Sequence, residues 1–330
     1  MTKTHIFITS QIPKEGIDLL RKRKSAIVDL YTGKKRISRK ELLKRVRGAD
    51  VILPKITEKM DAELMDAAGP QLKMIANYAV GFDNIDMAEV RRRGIVVSNA
   101  TAPGVSEAVA EHAMGLIFAL VHRIAEADAF TRAGKYKGWG ANMFMGTDVM
   151  GKTLGIIGTG GIGSALARRM HHGFGSKIIY TDVVRNPQLE KDFGAKYRTK
   201  MQLLKESDFV SLHVPLLPST RHLIGTKELK AMKKTAFLIN TARGPVVDEL
   251  ALVKALVRKQ IAGAGLDVYE CEPLIDCDPN DPYELRKLPN VVLTPHIASA
   301  TTGARVAMSV VAAQNILAFL SGRPVPNRIK

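Results

Sequence analysis

Short apolar runs alternate with amphipathic stretches along the whole chain, the rhythm expected of parallel strands joined by helices. Early in the sequence the strand candidates are residues 6–9, 26–30, 51–53, 72–76 and 95–97. Between them the apolar period lengthens to that of a helix over 13–22, 39–47 and 86–93, the last closed by Gly94 as a C-cap. After Gly151 the alternation starts afresh, with strands predicted at 154–157, 178–181, 209–214, 237–240, 264–268 and 291–293. The pattern closes on a long helix over 301–320, in which Val306, Val310, Ala313, Leu317 and Leu320 define one apolar face. With no strand after it, this helix is expected to return and pack on the first lobe. No internal repeat, low-complexity tract or long flexible linker interrupts the series.

The second series opens on a pattern with chemical content. The strand Leu154-Gly155-Ile156-Ile157 runs into Gly158-Thr159-Gly160-Gly161-Ile162-Gly163, a helical stretch follows over 164–174, and a second strand ends at Asp182. Gly158 suits the tight turn, Gly160 lets the backbone approach a pyrophosphate, and Gly163 permits close helix–strand packing. The helix N-terminus offers unpaired N–H groups and the positive end of its dipole to the phosphates. Asp182 can accept hydrogen bonds from the ribose hydroxyls of NAD and repels the 2′-phosphate of NADP, so NAD is favoured over NADP. Arg185, a little further on, would soften that repulsion. A glycine turn of this kind follows the first strand of its domain, so the nucleotide domain starts well inside the chain. The fold class predicted is α/β, with two Rossmann-like, doubly wound parallel-sheet domains and the active-site cleft between them. Residues 1–100 plus 297–330 are assigned to a substrate (catalytic) domain, and 101–296 to an NAD-binding Rossmann domain.

Composition narrows the picture further. A chain of 330 residues that is 46% hydrophobic exceeds one ordinary core and suits two. The net charge of +17 is concentrated early, in Arg21-Lys22-Arg23-Lys24, Lys34-Lys35-Arg36, Arg39-Lys40, Lys44-Arg45 and Arg47. Only Tyr31 lies among these charges as an aromatic, so we read them as solvated helix faces and expect no nucleic-acid partner. No uninterrupted apolar run reaches the ~18 residues of a membrane span, and the N-terminus lacks a signal-peptide layout. Cys271 and Cys277 allow one disulfide but no framework. A cytoplasmic protein without membrane attachment is expected. His171-His172 lacks Cys or carboxylate at ligand spacing, His112 and His122 are expected to be satisfied locally, and no metal site is foreseen.

Three polar groups fall where strands of the second series end: Arg243 after Leu238-Ile239-Asn240-Thr241-Ala242, Glu272 after Asp267-Val268-Tyr269, and His296 after Leu293-Thr294-Pro295. In open parallel sheets ligands bind beyond the carboxyl ends of the strands, so the three are expected to face one crevice. Arg holds a carboxylate bidentately and His passes a proton near neutral pH. A Glu beside that His fixes its tautomer and favours its protonated form, as carbonyl reduction requires. Spacing alone also allows an Arg–Glu surface pair and a His in a turn.

The motifs Val80-Gly81-Phe82-Asp83-Asn84-Ile85-Asp86, the glycine loop, His213-Val214-Pro215-Leu216, Asn240-Thr241-Ala242-Arg243-Gly244, Asp267-Val268-Tyr269 with Glu272-Pro273, and Thr294-Pro295-His296 resemble those of the D-2-hydroxyacid dehydrogenase family over nearly the whole chain. Within it, Asn77-Tyr78-Ala79-Val80-Gly81, Gly134-Lys135-Tyr136-Lys137-Gly138-Trp139-Gly140 through Gly146-Thr147-Asp148, and Pro295-His296-Ile297-Ala298-Ser299-Ala300-Thr301 most resemble glyoxylate/hydroxypyruvate reductases. The resemblance implies NAD-dependent reduction of a small 2-oxo acid, glyoxylate or hydroxypyruvate, by a homodimer. It implies Arg243 on the substrate carboxylate and carbonyl, His296 as acid/base and Glu272 as its partner. It further implies backbone donors at Val80 and Gly81, Asp267 on the nicotinamide amide, and a cofactor surface completed by Val214, Pro215, Thr241 and Ala242. Trp139, on the segment that forms the dimer arm in such reductases, is expected to cap the partner's substrate pocket. Gly161 departs from those reductases, which often carry Arg there, and a chain ending at Lys330 leaves no room for the regulatory domain of long phosphoglycerate dehydrogenases. The alternatives are D-lactate or phosphoglycerate chemistry, and a nucleotide-sensing corepressor of the same fold.

Overall fold

The computed structural model describes residues 3–272 and 284–329, so Pro273 and Cys277, singled out above, lie outside the described residues. The chain divides into two compact units, Met1–Val105 with Ala300–Lys330, and Ser106–Ser299.

The first unit holds a parallel sheet of β1 (Thr4–Ile8), β2 (Ala26–Leu30), β3 (Val51–Leu53), β4 (Met74–Ala76) and β5 (Val96–Ser98), in the order β2-β1-β3-β4-β5. That is the flavodoxin-like order of doubly wound sheets. β3 and β4 are buried at every position, which is why they read as unbroken apolar runs rather than as alternation. The helix Met87–Arg93 starts where the Asp86 carboxylate accepts the Ala88 and Glu89 N–H groups, and stops at Gly94, whose φ of 66° is left-handed. Some of the early positive charge is met inside this unit, Arg39 by Asp61 and Glu63, and Arg45 by Asp29.

Helix Thr302–Leu320 belongs to this unit and packs on helix Lys14–Arg21. Its buried face differs from the one predicted. Ala313 is buried, but Val306, Val310, Leu317 and Leu320 are only partly so, while Ala304, Met308, Ser309, Ala312, Asn315 and Ile316 are buried. Close approach selects the small residues: a Cβ on Gly16 would lie 2.1 Å from the Ser309 carbonyl oxygen. Large aliphatic side chains flank that crossing instead of filling it.

The second unit holds β6 (Thr153–Ile157), β7 (Lys177–Thr181), β8 (Lys196–Tyr197), β9 (Phe209–Leu212), β10 (Phe237–Asn240), β11 (Gly263–Leu266) and β12 (Val291–Leu293). All are parallel, in the order β12-β11-β10-β9-β6-β7-β8. Counted from β6, this is the dinucleotide-fold order 3-2-1-4-5-6 with one more strand at its edge. The chain leaves β6 in one direction and returns at β9 on its other side, so β6 and β9 bound the topological switch point. β9 stops at Leu212, two residues short of the expected end, which releases His213 and Val214 from the ladder. The two-residue edge strand β8 was not predicted; both its residues are exposed and carry no apolar alternation.

Among the described residues two helices, Pro103–Val121 and Thr302–Leu320, are long and apolar enough to cross a membrane, each with a mean hydropathy of 1.4. About half of each apolar window is buried within the protein, 50% and 44%. Ala110, Ala113 and Ile117 of the first are fully buried beside Leu154, Ile156 and Tyr180 of β6 and β7, so core packing accounts for its composition.

Candidate active site

The glycine loop takes the conformation its residues dictate. Gly158 has a φ of 95°, and a Cβ there would lie 2.7 Å from the His213 carbonyl oxygen, so only glycine lets β6 and the end of β9 approach. A Cβ on Gly163 would meet the Gly158 carbonyl oxygen at 2.1 Å, which fixes the helix Gly161–Phe174 against the loop. Gly160 is the N-cap of this helix and provides no side-chain cap, and the space where its Cβ would stand is open. Gly161 and Ile162 begin the helix, their N–H groups among the unpaired donors of its first turn.

Asp182, one residue past β7, is tied to that loop. Its Oδ2 accepts from the Thr159 N–H at 2.6 Å and the Thr159 hydroxyl at 2.9 Å, and its Oδ1 from the Val183 N–H at 2.7 Å. The carboxylate is held at the end of β7, with exposed Val183 and Val184 beside it. Arg185 turns away: its guanidinium donates to Glu190 and lies over the Tyr197 ring.

Two side-chain atoms beside the switch point are buried without a partner among the described residues, Nδ1 of His213 and Oγ1 of Thr241. Burial pushes the His213 imidazole down to about 4, so it is neutral near pH 7, with Nε2 against the Ser211 hydroxyl at 2.9 Å. Buried polar atoms ordinarily find partners, and one orphan against the glycine loop, with another past the end of β10, fits a polar ligand seated beyond these strand ends. Val214 and Pro215 follow His213, and the Thr220 hydroxyl donates to the Pro215 carbonyl.

The ends of β10, β11 and β12 carry the three residues read as chemical. Buried Asn240 shapes the first: its Oδ1 accepts the Ala242 N–H at 3.0 Å and its Nδ2 donates to the Arg243 carbonyl at 2.9 Å. Arg243 is half-buried and donates through Nη1 to the Ala242 carbonyl. The next residue, Gly244, packs so closely that a Cβ would stand 1.9 Å from the Tyr269 carbonyl carbon. The Arg243 turn is therefore seated on the segment that carries Glu272. Glu270 secures that segment, exchanging backbone-to-carboxylate hydrogen bonds with Glu249 and accepting from His222.

Glu272 and His296 meet. Glu272 Oε2 lies 2.9 Å from His296 Nδ1, while its Oε1 accepts the Tyr269 N–H at 3.0 Å. A carboxylate accepts, so Nδ1 carries the proton of this contact, and Nε2 is the nitrogen left to face a ligand. Both side chains are about one third exposed. His296 has a φ of 55°, a left-handed conformation unusual for a residue with a side chain. Tyr269 beneath is pushed up to about 12 by burial and by the charges of Asp267 and Glu272, and its hydroxyl donates to the Thr294 carbonyl at 2.9 Å.

Asp267 is fully buried and accepts from the Thr294 hydroxyl and the Ile297 and Ala298 N–H groups. These internal donors occupy the carboxylate that the family resemblance directs to the nicotinamide amide. His112 is not satisfied locally, as was expected, but reaches Thr294 on the loop after β12; His122 does stay local, stacked on Phe118. Nothing near His112 in sequence signals this, because the partners are far apart along the chain. Val80 and Gly81 lie in the first unit after β4, where Asn99 and Asn77 hold their carbonyls. Trp139, 84% exposed, stands on an irregular segment with exposed Tyr136, Met143 and Met145.

The family model for the NAD binding domain of the D-isomer specific 2-hydroxyacid dehydrogenases matches residues 114–298. The chain is 50% identical to a glyoxylate reductase of Thermococcus litoralis, covering 99% of this chain and 97% of that one. It is 46% identical to a glyoxylate reductase of Korarchaeum cryptofilum, covering 99% and 96%. Among solved structures it resembles a glyoxylate reductase from Paecilomyes thermophila, at 32% identity and a TM-score of 0.86 over 100% and 99% of the chains. It also resembles an NADPH-dependent glyoxylate/hydroxypyruvate reductase from Sinorhizobium meliloti, at 31% identity and a TM-score of 0.82 over 99% and 98%. A glycine loop at a switch point, a Glu–His pair beyond the neighbouring strands, and likeness along the full chain lead to one assignment: the chain belongs to the D-isomer specific 2-hydroxyacid dehydrogenases, a family of oxidoreductases that reduce 2-oxo acids.

Proposed function

We propose that this enzyme reduces glyoxylate, with hydroxypyruvate as the next best substrate, using NADH as reductant and His296 as proton donor. The contact between Glu272 Oε2 and His296 Nδ1 carries the reading, because it leaves Nε2 to protonate the oxygen of a carbonyl under reduction. The nicotinamide cofactor supplies the hydride. Arg243, rigid on its Asn240-capped turn, binds the substrate carboxylate and polarises the carbonyl. Backbone N–H groups of Val80 and Gly81, whose carbonyls are already held, are assigned to the same carboxylate.

Gly158, Thr159, Gly160, Gly161, Ile162 and Gly163 would hold the pyrophosphate. Asp182 would take the ribose diol, and Val214, Pro215, Thr241 and Ala242 would line the nicotinamide side. Asp267 is assigned to the nicotinamide amide, sharing an oxygen that already accepts internal donors. Asp182 supports NAD over NADP because Arg185, three residues on, is committed to Glu190. The exposed Trp139 and its apolar neighbours support a homodimer in which Trp139 caps the partner's substrate pocket. A cytoplasmic setting, with its pool of reduced nicotinamide, suits this activity.

The test is steady-state oxidation of NADH and NADPH with a panel of 2-oxo acids, in wild type and His296→Asn. Glyoxylate with NADH is expected to give the highest kcat/KM, and His296→Asn to lose about 10²–10⁴ in rate with NADH affinity nearly intact. Near-normal turnover by His296→Asn would sink the assignment. No turnover by the wild type on any 2-oxo acid, with tight NADH binding, would instead favour a nucleotide sensor.

A further inference from the structure

His296 stands at a strained φ of 55°, and such conformations persist only where the surroundings over-determine them. Here the surroundings are one buried carboxylate. Asp267 Oδ1 accepts the Thr294 hydroxyl at 2.5 Å and the Ile297 N–H at 2.8 Å, and Oδ2 accepts the Ala298 N–H at 2.7 Å. The Asp267 carbonyl accepts the His296 N–H at 2.9 Å. Asp267 thus clasps the loop before, at and after His296.

The Thr294 hydroxyl has one proton, and the 2.5 Å contact spends it on Asp267. Its oxygen must then accept from His112 Nε2, which lies 2.9 Å away. Nε2 is also 3.5 Å from Asp267 Oδ1. His112 itself is held on the rigid helix Pro103–Val121, where its neighbours Ala110 and Ala113 are fully buried.

We infer that His112 is a positioning residue for the reaction: its Nε2–H orients the Thr294 hydroxyl onto Asp267, and the chain His112–Thr294–Asp267 holds the strained loop that aims His296. The inference rests on the proposed role of His296. It makes no use of a His112 contact with substrate or cofactor. Loss of the donor would let the loop relax, so the proton donor would sit out of line while the glycine loop and Asp182 stayed intact.

The experiment is steady-state and NADH-binding measurement on His112→Leu, His112→Gln, Thr294→Val, the double variant His112→Leu/Thr294→Val, and His296→Asn. His112→Leu is expected to lose about ten- to a hundredfold in kcat, since small misplacement of reacting groups can cost ~10²-fold, a loss far larger than any change in NADH affinity. His112→Gln, whose amide N–H can donate to the same hydroxyl, should recover most of the loss. Thr294→Val should match His112→Leu, and the double variant should be no slower than either single one. Wild-type kcat in His112→Leu beside an inactive His296→Asn would overturn this inference alone. So would a double variant whose losses multiply, or a Gln variant no better than Leu. Normal turnover by His296→Asn would remove the proposed function and this inference with it.

Discussion

At the scale of single residues, two carboxyl-terminal strand positions set quantities that can be measured directly. Asp182 is locked to Thr159 and Val183, so its charge is fixed at the end of β7, where the proposed reading seats the ribose. Wild type should therefore show a higher kcat/KM with NADH than with NADPH. Asp182→Ala should narrow that gap by about tenfold, the equivalent of roughly 1.4 kcal/mol of removed repulsion. Equal or better use of NADPH by the wild type would refute the role given to this carboxylate. His213 bears on pH. Its imidazole titrates at about 4 when folded, because burial disfavours the cation, and near 6.5 when unfolded. A depressed cation pKa means the unfolded chain binds the extra proton first, so the stability His213 contributes is complete above about pH 6.5 and lost as pH falls toward 4. His213 as a residue is only half-buried, so the loss should be on the order of 1–2 kcal/mol. Urea unfolding of wild type and His213→Asn across that window checks it: the variant should lose less stability on acidification.

Elements show where sequence patterning succeeds and where it fails. Strands β3 and β10 end where their apolar runs end, since a strand buried on both faces announces itself by composition; β2 and β12 keep their expected bounds although no position in either is fully buried. The glycine loop and Asp182 were legible because the hydrogen bonds that join them are made within one strand–helix–strand unit. The Glu272–His296 contact was legible only through the rule that strand ends share a crevice. The His112–Thr294 hydrogen bond spans 182 residues and leaves no local trace. The terminal helix misled for another reason: its apolar residues outnumber its buried positions, and the crossing at Gly16 selects size rather than hydrophobicity. That crossing gives a prediction. Gly16→Ala would gain about 1 kcal/mol of helix propensity. The new Cβ, however, would stand 2.1 Å from the Ser309 carbonyl, and forcing the helices apart costs about 1–3 kcal/mol or more. A net loss of stability in chemical denaturation is expected, and a Tm equal to or above wild type would contradict the packing described.

At the scale of the whole molecule, the exposed Trp139 offers a test of the proposed dimer. It is the only tryptophan, so intrinsic fluorescence reports that ring alone. A ring 84% exposed on the chain should emit as if in water when monomeric and shift to the blue on dimerisation. Adding a substrate analogue to the NAD-bound protein should move the emission again, and Trp139→Ala should alter the preference between glyoxylate and bulkier 2-oxo acids. Unchanged emission on dilution through the dimer range, with unchanged specificity, would return Trp139 to a purely local role.

The contact of Gly16 with Ser309 also sets a clock. The two residues are 293 positions apart, and at a synthesis rate of about 5–20 residues per second the second follows the first by roughly 15–60 s. Throughout that interval the sheet of the first unit waits beside the ribosome with one covering helix still unmade. The whole of Ser106–Ser299 emerges meanwhile, with every strand of its own sheet in hand. Birth order and folding order therefore run opposite ways: the part made first is finished last, and it is the part that chaperones should meet.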